Sequence, residues 1–145
     1  MSSETITTIS PITNKPVVSR PGVSQHDLAE LPKTAQQAFR SFSKLTTLAQ
    51  RQEIVAKALH ILGKKKDELA REITEQMGRP IRYTCVEIST AIKRGEYLNR
   101  ISSSVLEGTI DAEPESGFKR YLKKEPVGVV LVIFPWNVRL PTAPV

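Results

Sequence analysis

Glu125-Pro126-Val127-Gly128-Val129-Val130-Leu131-Val132-Ile133-Phe134-Pro135-Trp136-Asn137 decides how this chain is read. From Val127 to Phe134 the run is apolar and largely β-branched, interrupted only by Gly128. Such a run lacks the alternation of a half-buried strand, so it predicts a strand buried on both faces, as at the centre of an α/β sheet. Glu125-Pro126 punctuates it on one side and Pro135 on the other. A central parallel strand needs neighbours, and one βαβ unit takes roughly 30 residues. Only eight residues follow Asn137. The sequence therefore predicts that residues 118–145 open a domain whose remainder lies outside these residues. Left alone, the strand would expose two adhesive edges.

Upstream the texture is helical. Residues 4–20 read as a hairpin: Thr5-Ile6-Thr7-Thr8-Ile9 is β-branched, Pro11 to Lys15 supplies turn residues, and Val17-Val18 resumes the extended pattern. Ser24 is an N-cap with Asp27 three residues on, opening a helix to about Ser41 with a kink or restart at Pro32. Its Leu28, Leu31, Ala35, Ala38, Phe39 and Phe42 fall near one face, and Phe39 and Phe42 read as packing. Thr47 and Gln50 form a second capping box, and the helix that follows breaks at Gly63 and the lysine run. Helix resumes from Asp67 to Met77, and Gly78 with Pro80 stops it. A last helix spans about Ile81 to Leu106, weakened slightly by Gly95. A loop with a short extended excursion at Thr109-Ile110 leads to a basic strand over 118–124. The predicted organisation is an N-terminal extended arm (1–22), a helical part (23–106), a loop and strand (107–126), and the strand with its turn (127–145).

Composition excludes several classes. The chain has 145 residues, a formal charge of +6, 39% apolar and 25% charged residues. That is a globular composition long enough to bury a core. No apolar run approaches the ~18 residues of a membrane span. Met1-Ser2-Ser3-Glu4-Thr5 has neither the basic and apolar regions of a secretory signal nor the look of a transit peptide. One cysteine, Cys85, excludes an internal disulfide and suits a reducing, cytoplasmic setting. Cys85, His26 and His60 cannot build a structural zinc site. The clusters Lys64-Lys65-Lys66 and Lys119-Arg120 with Lys123-Lys124 read as solvated charge, so neither nucleic acid nor membrane is an expected partner. Seven glycines include no G-x-G pair, so no dinucleotide fingerprint lies within the chain.

Individual residues read as structural. Cys85 is an ordinary helix cysteine, because a reactive thiol needs a lowered pKa and access. His60, flanked by Leu59 and Ile61, sits at a helix boundary or surface. Glu87 and Glu96 lie nine residues apart on different helix faces and read as surface carboxylates. Asn137, from its context alone, is a turn residue capping a following helix.

The opening segment nevertheless resembles the "EPVGVV…I-x-PWN" stretch of the NAD(P)-dependent aldehyde dehydrogenase superfamily. Upstream segments agree in order. Ala35-Gln36-Gln37-Ala38-Phe39 is similar to the family's "A-x-x-A-F", and Gln50-Arg51 with Ile54 to its "R-x-x-I/L". Asp67-Glu68-Leu69-Ala70 followed by Thr74 to Pro80 is similar to "deLa…E-x-G-K-P", and Val86-Glu87-Ile88 to the "E-V" of the next helix. The resemblance covers about residues 4 to 140. It departs at Val138-Arg139-Leu140-Pro141, where the family has an aromatic residue, proline and an aliphatic, and at Arg79, where it has lysine.

The resemblance implies an α/β fold: the N-terminal part of an aldehyde dehydrogenase-like structure, with hairpin, helical cluster and the first strand of an incomplete Rossmann-like sheet. It implies oxidation of an aldehyde to a carboxylic acid with NAD or NADP. In that family a cysteine thiolate attacks the carbonyl, hydride passes to the nicotinamide, and a glutamate-activated water releases the acid from a thiol ester. By resemblance Asn137 is an oxyanion donor. Ile133, Phe134, Pro135, Trp136 and Asn137 would lie against the cofactor at the end of the first strand. The hairpin and the 118–126 strand would belong to a β-element that pairs subunits, so the parent would be a homo-oligomer. The family's lysine–proline–serine strand end, glycine-containing phosphate turn, general-base glutamate motif and catalytic cysteine motif do not occur here. The chain alone is therefore expected to be inactive and poorly soluble. The alternative is a non-catalytic protein that docks onto intact homologous subunits by strand addition.

Overall fold

The computed structural model describes residues 5–106, 109–111 and 121–134. Two strands form the expected hairpin, β1 (Thr5–Ile9) and β2 (Pro16–Pro21), antiparallel with Thr7 opposite Ser19. Their hydroxyls meet at 2.8 Å, a cross-strand polar pair. The register shifts between Thr8 and Ile9, and the chain then turns through residues 10–15. Ser10 organises that turn. Its backbone N–H donates to Lys15 O, its carbonyl accepts from Asn14 N, and its hydroxyl accepts from the amides of Ile12 and Thr13. Asn14 takes the left-handed conformation (φ 56°) that asparagine tolerates.

Helix α1 spans Gln25–Leu45. Ser24 caps it: Asp27 N donates to Ser24 Oγ at 3.1 Å, and the hydroxyl donates to Asp27 Oδ2 at 2.6 Å. The kink or restart expected at Pro32 is replaced by one helix running through it and beyond Ser41. Proline forfeits the bond to the carbonyl four residues back, here Leu28, but its φ is helical, so the remaining turns carry on. The stop comes at Thr46, whose amide and hydroxyl both donate to Phe42 O.

Thr47 immediately caps α2 (Leu48–Lys64) with a complete capping box: Gln50 N donates to Thr47 Oγ1, and Thr47 N to Gln50 Oε1. The break at the lysine run is a single residue, Lys65, after which α3 spans Lys66–Met77. Gly78 closes α3 at φ 74°, with its amide on Thr74 O. Helix α4 covers Ile81–Leu106, ~39 Å at 1.5 Å per residue. Its first turn uses Pro80 O as acceptor for Tyr83 N and Thr84 N.

The core lies between α3 and α4. Ala70, Ile73 and Ile88 are buried, flanked by Leu69, Met77, Cys85 and Ile92. Thr84 is fully buried among them, and its hydroxyl donates to Ile81 O at 3.0 Å and lies 3.3 Å from Thr74 Oγ1. Helix α2 packs on α4 further along. Gln52 crosses that seam, its amide donating to Asn99 O, Ser102 Oγ and Ser103 Oγ at 2.8–3.0 Å. Asn99 Nδ2 returns a bond to Gln52 O at 3.1 Å.

Helix α1 buries none of its residues. Leu28, Leu31 and Phe42 are exposed, so the packing read for Phe42 is not made among the described residues, while Phe39 is half-buried.

A short antiparallel pair follows α4: β3 (Thr109–Asp111) and β4 (Tyr121–Lys123), with Ile110 opposite Leu122. β4 falls within the predicted 118–124 strand, and residues 118–120 lie outside the described residues. Beyond it, residues 127–134 belong to no strand. The burial on both faces read from their composition is not present: Val127 is 95% exposed, and Leu131 and Ile133 are each 84% exposed. An apolar β-branched run gains a ladder and burial only from neighbouring strands. No described strand lies alongside.

Candidate functional site

Of the candidate site residues, Ile133 and Phe134 end this exposed segment. Ile133 is exposed and Phe134 is 49% exposed. Pro135, Trp136 and Asn137, which carry the signature turn and the candidate oxyanion donor, lie outside the described residues.

The approach to the site is fixed by its base. Lys124 Nζ donates to Val105 O, one of the last carbonyls of α4, where a cation is favoured. Lys123 pairs with Glu125, and that carboxylate's hydrogen bond holds the Lys123 ammonium above the ordinary lysine value. Gly128 then takes φ 112° in open space. The conformation excludes a β-branched residue at that position, so the one interruption of the apolar run is a backbone requirement.

Among the described residues, cavities border α2 and α4. One, about 260 Å³, is bounded by Ala56, Leu59, His60, Glu96, Asn99 and Arg100 between α2 and α4. The other, about 210 Å³, is bounded by Leu48, Arg51, Leu106, Lys124, Glu125 and Pro126. Neither is lined by Ile133 or Phe134. The described residues thus supply one apolar wall and no enclosed dinucleotide site, and they do not by themselves fit NAD or NADP.

The titratable residues are placed apart from this segment. Cys85 is half-buried against the α3–α4 core, and its carbonyl accepts from Ser89 Oγ. His60 is exposed on α2, and His26 is exposed beside Asp27 at 3.6 Å. Glu96 is exposed on α4. Glu87 corrects the surface reading: its side chain is only 8% exposed, and Oε2 lies 3.2 Å from Arg79 Nε. It makes no aligned hydrogen bond there. Adjacent to buried Ile88 and three residues beyond buried Thr84, Glu87 stands at the margin of the packed face, and Arg79 in the α3–α4 link supplies its charge partner. Helical spacing alone did not show that a neighbouring loop covers this carboxylate. Among the described residues no cluster of His, Cys, Asp or Glu could hold a metal ion.

Comparison with known proteins places this architecture. 1-Pyrroline-5-carboxylate dehydrogenase of Geobacillus thermodenitrificans is 31% identical over 138 residues, 94% of this chain and 26% of that protein. D-glyceraldehyde dehydrogenase (NADP(+)) of Picrophilus torridus is 28% identical over 140 residues, 94% of this chain and 27% of that protein. The indole-3-acetaldehyde dehydrogenase AldA of P. syringae, solved with NAD+ and IAA, superposes with a TM-score of 0.86 at 26% identity, covering 95% of this chain and 28% of that one. The chain therefore spans about a quarter of the length of the relatives it matches. Its hairpin, helical cluster and small sheet match the N-terminal part of the aldehyde dehydrogenase fold. The model of the aldehyde dehydrogenase family matches residues 1–143, nearly the whole chain, and the chain belongs to that family.

Proposed function

We propose that this chain is the N-terminal portion of an oxidoreductase that oxidises aldehydes to carboxylic acids with NAD or NADP. The observation that carries it is the family match over residues 1–143, with the signature segment Glu125–Asn137 inside it. In the complete protein the aldehyde is the substrate, and the working form is a homo-oligomer in the cytoplasm. Ile133, Phe134, Pro135, Trp136 and Asn137 would lie against the cofactor once the rest of the protein completes its site, and the bound cofactor would supply the hydride acceptor. Asn137 would donate its side-chain amide N–H to the carbonyl oxygen while negative charge builds there. Elsewhere in this chain, α2 and α4 border the base from which the 124–134 segment departs, and the hairpin and the 118–126 strand belong to the element that pairs subunits.

Residues 1–145 on their own turn over no aldehyde. Cys85, the only thiol, is committed to the α3–α4 packing, and an oxyanion donor without a nucleophile does no acyl chemistry. Purified residues 1–145 mixed with NAD or NADP and a panel of aliphatic and aromatic aldehydes test this. No formation of reduced nicotinamide is expected, and turnover of any aldehyde overturns the inactivity.

The exposed apolar segment 127–134 favours one further reading, a non-catalytic chain that docks onto intact aldehyde dehydrogenase subunits by strand addition. Under that reading residues 1–145 co-purify with a full-length homologue from their own cells. Recovery without one removes it.

A further inference from the structure

We draw no further inference here: the strongest candidate, the cavity of about 210 Å³ between the start of α2, the end of α4 and residues 124–126, where Arg51 and Lys124 have no carboxylate partner among the described residues, carries nothing because its unsatisfied donor, Arg51 Nε, is buried out of a ligand's reach and nothing in the structure shows what covers the opening.

Discussion

Gly95 of α4 faces Leu59 of α2 so closely that a Cβ added to the glycine would stand 2.6 Å from Leu59 Cδ2 and 3.1 Å from Cδ1. The two helices meet where α4 has no side chain. In helix propensity alone, Gly95→Ala gains about 1 kcal/mol. Overpacking a fitted contact costs ~1–3 kcal/mol, and both methyls of Leu59 stand inside ordinary contact distance, so the clash outweighs the propensity. Urea unfolding should show Gly95→Ala less stable by about 1 kcal/mol. In a Leu59→Ala background the same change should turn stabilising. A stabilising Gly95→Ala in the natural background would contradict the close approach.

Gln52 and Asn99 exchange hydrogen bonds across the same seam, each reaching the other's backbone carbonyl. Groups tied this way do not act independently. Gln52→Ala and Asn99→Ala should each cost ~1–2 kcal/mol. The double variant should cost less than their sum, by about 0.5 kcal/mol or more. Additive costs in a double-mutant cycle would show that the pair is not coupled.

Gly78 carries two constraints. Its φ of 74° disfavours a side chain, and a Cβ there would lie 2.9 Å from Pro11 Cγ in the hairpin turn. The left-handed conformation costs an ordinary residue about 1–2 kcal/mol. Gly78→Ala should therefore destabilise α3 and also loosen the turn at residues 10–15. Hydrogen exchange should show faster exchange at Asn14 N, which is bonded to Ser10 O, as well as at the end of α3. An effect confined to α3 would mean that the hairpin does not lean on this glycine.

The Asp27 carboxyl is held below its ordinary value of 3.8, first by the Ser24 hydroxyl and then by His26. A lowered folded-state pKa stabilises the fold above the unfolded value, and that contribution fades as pH falls through the folded one. The start of α1 should fray only under acid conditions below about pH 4, the ordinary carboxylate range. A carboxyl titration by NMR should place the Asp27 midpoint below 3.8 and move it up in Ser24→Ala. An unmoved midpoint would remove the capping hydroxyl as the cause.

What the sequence revealed follows the reach of each interaction. The α2 capping box, the left-handed stop at Gly78 and the limits of α4 were legible because cap chemistry is settled within three or four residues. The passage of α1 through Pro32 was not, since one lost ladder bond is a local penalty that the remaining turns outweigh. Gly95 read as a weak point in a helix, whereas the structure shows it as the contact with Leu59; no local pattern encodes a neighbour 36 residues away. The Gln52 clamp and the burial of Glu87 were hidden for the same reason. The 127–134 run was read by composition as a buried strand, but burial belongs to neighbours that the described residues do not provide. Of the candidate site, the Pro-Trp-Asn turn was visible only through its resemblance to a family, and it lies outside the described residues.

If these residues head a complete aldehyde-oxidising enzyme, the native protein is several times heavier than this chain. An antibody raised against residues 25–77, which contain α1, α2 and α3, should detect a band in cell extract several times heavier than 16.1 kDa. A band at 16.1 kDa alone would contradict this and leave docking onto an intact subunit as the role of this chain.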